Sequence, residues 1–315
     1  MNGFDAEFES LEHYILVITE RIWEGRRLDD ISRYYSDDCV VETPLGISQG
    51  IAPVIEGTRA TLAEFPDREL LPEDVLVSGD SVQGYLSSHR IFSPMTHRGS
   101  GRFGAASQRA VRARTIADCV CRDNRIVHEW LVRDHAAIAH QIGLRCEELA
   151  ARWLEQQPTW SQPQATTAPQ PYQPELSAHA LAQMASRFVR VCWAGDAQSM
   201  RALSERALSS ALPGGLQLVG WQDLQDQLDA WLQCFSVERI DIEHASVCER
   251  PQRAPAVNLR WRAQFRHSGV GRFGEPTGRT VEVLAIQHLE WHGSRVARQW
   301  LLIDEVAIWM QLLKT

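Results

Sequence analysis

Two aspartates at matching places in a repeated pattern are the residues of this chain that first suggest chemistry. Asp134 follows Trp130 by four residues, Asp304 follows Trp300 by four, and each pair lies downstream of a histidine that opens a Gly-rich stretch. The stretches read His97-Arg98-Gly99-Ser100-Gly101-Arg102-Phe103-Gly104 and His267-Ser268-Gly269-Val270-Gly271-Arg272-Phe273-Gly274. An aspartate beside an indole in an apolar cavity is a workable acid and base. Exclusion of water disfavours its charge and moves its pKa to where it exchanges protons with a carbon acid. His97 and His267, at strand ends, could protonate the oxyanion of such a reaction or could hydrogen-bond the backbone of their own turns. The aspartates also have a structural reading. Asp134 precedes Ala136-Ala137-Ile138 and Asp304 precedes Val306-Ala307-Ile308, so each is placed to cap a helix.

Other residues join this candidate site. Arg90 and Arg260 alternate with apolar neighbours on predicted strands, so they are expected to face inward, where a guanidinium needs a partner. Asp134 and Asp304 are the carboxylates the pattern offers, and such a pairing would hold the acids ionised. Trp130 and Trp300 suit either a core or a pocket lining, and Phe103 and Phe273 suit the rim of a pocket. The Gly-x-Gly-x-x-Gly look of the first stretch does not indicate a dinucleotide, because it lies between strands and opens no helix. No cluster has the spacing of metal ligands, and the chemistry calls for no metal and no cofactor.

The elements that must position these residues occur twice. The histidines, tryptophans and aspartates all recur at a separation of 170 residues, which is one whole domain copied and not a short solenoid repeat. Residues 1–155 read as the first domain, 156–174 as a Pro- and Gln-rich linker, and 175–315 as the second domain. Within the first, a stripe of Leu11, Ile15, Ile18 and Ile22 predicts a helix over Phe4 to Trp23 ended by Gly25. A short helix around Leu28 to Tyr34, a strand at Cys39 to Thr43 and a helix from Ile51 to Phe65 follow. Strands are expected over Leu70 to Ser78, Ser81 to Met95, Arg109 to Arg122 and Arg125 to Val132, then one last helix from Asp134 towards Trp153. This order predicts an α+β domain with a curved antiparallel sheet wrapped on its helices. Trp160 and Tyr172, in the linker, are placed to dock on a domain surface.

Composition narrows the function further. With 44% hydrophobic and 23% charged residues the 315-residue chain reads as soluble and globular, and a net charge of −8 argues against a nucleic-acid partner. The N-terminus has neither the basic nor the apolar region of a signal peptide, and no apolar run would span a membrane. Seven cysteines without a CxxC pair are expected to be reduced thiols of a cytoplasmic protein.

The first half resembles the SnoaL-like polyketide cyclase group within the NTF2-like superfamily. The resemblance runs through Phe65-Pro66-Asp67, Ser78-Gly79-Asp80, Arg90, Thr96-His97-Arg98-Gly99 and the segment from Arg125 to Asp134. The second half resembles it through Arg260, His267, Gly269, Arg295, Trp300 and Asp304, but carries Ser236-Val237 in place of Pro66-Asp67 and Arg266 in place of Thr96. The resemblance implies a cone-shaped domain around an apolar pocket and a small apolar or polyketide-like ligand. It also implies cyclase or isomerase chemistry with Asp134, and in the second copy Asp304, as the acid and base. Other members of the group are inert binding or scaffold domains. Because single-domain relatives pair through their sheets, the resemblance further implies an intrachain pseudo-dimer that could assemble into a larger homo-oligomer.

Overall fold

Local patterning accounts for most of the elements in the computed structural model, which describes residues 1–166 and 178–314. The chain divides into two compact units, Met1–Gln173 and Pro174–Thr315. In the first, Ser10 caps helix α1 (Leu11–Thr19) by accepting a hydrogen bond from the His13 N–H. The apolar stripe continues into a wider turn of π-helix at Glu20–Glu24, which buries Ile22. The helix therefore starts seven residues later than the sequence suggested, and residues 4–9 precede it as irregular chain. A single turn, α2 (Ile31–Tyr34), leads into β1 (Tyr35–Thr43), β2 (Gly46–Gln49) and α3 (Ile51–Glu64). Four long strands follow: β3 (Leu71–Asp80), β4 (Gly84–Thr96), β5 (Ala110–Arg122) and β6 (Arg125–Arg133).

These strands form one sheet in the order β2-β1-β6-β5-β4-β3. It is antiparallel except where β1 lies parallel to β6, with Val41 opposite Glu129, so the sheet is mixed. Alternation along the strands sends odd-numbered residues of β4, β5 and, from His128 onward, β6 toward the helices and even-numbered ones to the opposite face. The expected final helix is two helices, α4 (His135–Ile142) and α5 (Cys146–Gln156). Gly143 separates them in a left-handed conformation, φ +86°, and the Leu144 N–H closes the end of α4 on the Ala139 carbonyl. Trp160 is buried and its indole N–H donates to the Leu45 carbonyl at 2.6 Å, whereas Tyr172 lies outside the described residues.

The second unit repeats this order: α6 (Ala180–Trp193), α7 (Ala197–Leu203), β7 (Ser204–Leu212), β8 (Leu216–Val219), α8 (Trp221–Cys234), β9 (Phe235–Cys248), β10 (Ala256–His267), β11 (Thr280–His292), β12 (Arg295–Ile303) and α9 (Glu305–Leu313). Its sheet runs β8-β7-β12-β11-β10-β9, and β12 again lies parallel to β7. Each unit is thus an α+β domain of the same topology, a tandem duplication. No helix among the described residues is long and apolar enough to cross a membrane.

One local difference separates the copies. In the first, Phe65, Pro66, Asp67 and Arg68 make a β-turn closed by the Arg68 N–H on the Phe65 carbonyl at 3.2 Å. Proline suits the second position of such a turn and cannot donate to a ladder, so β3 starts only at Leu71. In the second copy, Phe235, Ser236 and Val237 pair directly with His267, Arg266 and Phe265, and β9 runs straight out of α8.

Candidate active site

The Gly-rich stretches are structural first. A Cβ at Gly99 would sit 1.8 Å from the Ala63 carbonyl oxygen, and one at Gly269 1.9 Å from that of Gln233, so only glycine lets the loop lie against the end of α3 or α8. His97 and His267 brace the same loops. The Ser107 N–H donates to Nδ1 of His97 at 3.3 Å, and the Thr277 N–H to Nδ1 of His267 at 3.2 Å. Both imidazoles are fully buried, burial lowers their pKa, and among the described residues neither Nε2 has a hydrogen-bond partner. Neither lines a cavity described below.

Asp134 and Asp304 both cap the helices that follow them. The Ala137 N–H donates to Oδ1 of Asp134 at 2.9 Å, and the Val306 N–H to Oδ1 of Asp304 at 3.1 Å. Their settings then differ. Asp134 lies in the wall of a cavity of about 120 Å³ enclosed by α3, the sheet and α4. Asp304 does not border the small cavity of its own unit, which is about 30 Å³.

The expected pairing of Arg90 with Asp134, and of Arg260 with Asp304, gives way to other partners. Arg90 donates to Glu73 at 3.1 Å and Arg260 to Glu243 at 3.2 Å, and Arg114 and Arg262 share those carboxylates. The reason is register. Arg90 lies opposite Ile116, which lies opposite Val132, and as even-numbered residues all three point to the face away from the helices. Trp130 is on that face too, stacked on His128 at 4.0 Å, and Trp300 holds the same place opposite His288. Arg90, Arg260, Trp130 and Trp300 therefore lie outside the cavities. Phe103 does line the cavity of the first unit, packed edge-on against Phe65 and Trp153, whereas Phe273 is a core residue of the second.

The wall around Asp134 is more charged than an apolar pocket. It includes Glu64, Arg68, Arg102 and Arg133. Arg102 lies over the Trp153 ring, 3.9 Å from its centroid. Glu64 is nearly fully buried and accepts from the Phe103 N–H at 3.2 Å. Burial raises its pKa against the opposing pull of that hydrogen bond and of Arg102. Beyond Arg68, Thr115 and Arg133 lies a second cavity of about 50 Å³, whose wall the same three residues share. It also touches His89, Tyr35 and Glu129. The Tyr35 hydroxyl donates to Glu129 at 3.0 Å, and burial raises the Glu129 pKa against the effects of Arg133 and Tyr35.

Sequence reasoning missed Glu64, Arg68, Glu129 and Arg133. A signal for them was present in the repeat itself. At the constant separation of 170 residues their counterparts are Cys234, Glu238, Gln299 and Ile303, so all four change character between the copies.

No curated protein matches the chain. Among solved structures, a SnoaL-like polyketide cyclase from Agrobacterium tumefaciens is 19% identical, covering 43% of this chain and 99% of its own, with a TM-score of 0.34. IdmH from Streptomyces antibioticus is 21% identical, covering 42% of this chain and 96% of its own, with a TM-score of 0.37. Each covers the share of the chain that one repeat occupies. The SnoaL-like polyketide cyclase family model matches residues 14–142. That match lies within the first unit, and the second unit repeats the strand order of the first.

Proposed function

We propose that the first unit is a cofactor-independent cyclase or isomerase that works on a small molecule by proton transfer at a carbon next to a carbonyl. The observation that carries this reading is Asp134, a buried carboxylate in the cavity wall of a domain from a cyclase family. The Ala137 N–H fixes its orientation, so its position is set before a substrate arrives. In this reading Asp134 takes the proton, and Glu64, with its raised pKa, returns one to the oxygen that gains charge.

For the second unit we infer a non-catalytic, structural role. Its aspartate caps a helix away from its small cavity, and aromatic side chains occupy the interior.

The test is solvent-deuterium incorporation at the carbon between the carbonyls of a panel of 3-oxo acids and 3-oxo esters, followed by NMR with wild-type protein and two variants. Asparagine is also a good N-cap, so Asp134→Asn removes the base and spares the helix. Loss of about 10²–10⁴-fold in enzyme-dependent exchange is expected for Asp134→Asn. No change is expected for Asp304→Asn. Equal exchange by wild type and Asp134→Asn would sink the proposal.

A further inference from the structure

The charge inventory of the first unit's interior is uneven, and Arg68 is the residue that does not balance. Glu129, beside Arg133, offsets part of that arginine's charge. Arg102 has its aromatic partner, and Arg114 has Glu73. Arg68 hydrogen-bonds through its backbone N–H to the Phe65 carbonyl, and among the described residues no carboxylate lies within ion-pair distance of its guanidinium. Burial, and after it the neighbouring Arg133, pulls its pKa down. Arg68 is half-buried, and a guanidinium drawn partly out of water and left without an anion is costly.

Its location suggests a use for that charge. Arg68 and Arg133 are in the walls of both cavities, with Asp134 bordering the larger and His89 the smaller. His89 is 2% exposed and its Nε2 has no hydrogen-bond partner. The β-turn at Pro66-Asp67 places Arg68 there, and the second unit, which lacks that turn, has Glu238 at the equivalent position, bonded to the Thr280 hydroxyl. Both cationic positions are lost together in that copy, since Arg133 is matched by Ile303.

We propose that Arg68, supported by Arg133, is the anion receptor of this cavity, and that its ligand is a small organic acid held by its carboxylate. A planar guanidinium matches a carboxylate in a two-bond fork, which would fix the rest of the molecule in the larger cavity beside Asp134. The substrate class deepens the proposed proton-transfer reading and rests on it: a carboxylate-bearing ketone, oriented by the acid group away from the reacting carbon. The cavity size, about 120 Å³ with the smaller 50 Å³ space adjoining, suits a compact molecule.

Benzoate and its neutral, near-isosteric counterpart benzamide are the probes, titrated calorimetrically into the full chain, with inorganic phosphate as a third arm. Benzoate is expected to bind about tenfold or more tightly than benzamide, and phosphate more weakly than benzoate. Arg68→Gln should abolish the preference for benzoate and leave benzamide affinity unchanged, and Arg68→Leu should do the same if glutamine alters the local fold. Arg98→Gln, on the exposed side of the loop, should leave the preference intact. Failure of benzoate to bind, benzamide binding as well as benzoate, or a preference that survives both Arg68 substitutions overturns the proposal. Phosphate binding more tightly than benzoate overturns the assignment to carboxylates. The two readings fail separately. Asp134→Asn should retain benzoate binding even where it loses deuterium exchange, so an inactive protein that prefers benzoate refutes the reaction and keeps the receptor.

Discussion

Where the first unit lines its cone with Thr61, Ile91 and Met95, the second carries Trp231, Trp261 and Phe265 at the equivalent places. Trp193 gathers these rings, with centroids 5.7 Å from Trp231, 5.8 Å from Trp261 and 4.9 Å from Phe265. Polar groups change in step. Tyr35, Glu129 and Arg133 form a charged cluster in the first unit. In the second, the Trp261 indole donates to Gln287, Gln287 to Gln299, and Gln299 to Ser210, a chain without net charge. Strand order, the aspartate caps Asp134 and Asp304, and the loop glycines are the same in both. The framework of this fold holds either an open interior with Arg68 and Arg133 in its wall or one filled by aromatic rings, and the choice lies in side chains on one sheet face and in one turn.

Three measurements would break or sharpen this contrast. The largest effect is expected in the packed copy. Trp261→Ala should cost about 3–5 kcal/mol in calorimetric unfolding, while Ile91→Ala, at a position already bordering open space, should cost about 2 kcal/mol. Equal costs would mean that the interiors are packed alike.

The next concerns acid. Burial, and after it Arg90, lowers the His89 pKa to about 4, so the folded chain resists a proton that the unfolded chain accepts below about 6.5. Stability from this group is complete above about 6.5 and falls by about 1.4 kcal/mol per pH unit down to about 4, where it levels off. Leu259 occupies the same place in the second unit, so His89→Leu imports that solution. The stability gained by the variant over wild type should grow by about 3 kcal/mol between those limits. A flat difference would show that His89 is protonated in the fold. In the second unit His244 should act similarly over a wider range, its pKa being lowered to about 3 by burial and then by Arg260.

The smallest effect tests sameness. Asp134→Ala and Asp304→Ala should each destabilise by about 1 kcal/mol, because each removes an N-cap of the same kind. A large difference between them would mean that the caps do not share one job.

Much of the fold was legible in the sequence because its signals are local or repeated. The landmarks His97, Trp130 and Asp134 recur in order, and glycines at 99 and 269 mark a close approach that no other residue permits. The parallel pairing of β1 with β6 was not legible, since it joins residues about 90 positions apart in sequence. The candidate site was read less well, for physical reasons. Arg90 is expected to face the helices, yet strand alternation gives two faces without saying which one the helices cover. Arg68 carries no periodicity at all; it sits in a turn, and only the turn's geometry sends it inward. Asp134 is legible as a helix cap, because Ala136-Ala137-Ile138 follows it directly.

The amide chain inside the second unit has one more consequence, which concerns direction. An indole N–H can only donate, so Gln287 must present its oxygen to Trp261 and its amino group onward. Gln299 is then forced to receive at its own oxygen and to donate to Ser210. One tryptophan therefore sets the polarity of the amide links: Gln287 cannot flip without breaking the contacts at both of its ends, and Gln299 cannot flip without breaking the one to Gln287. The interior of the second unit is ordered end to end, like a row of dipoles pinned at its head.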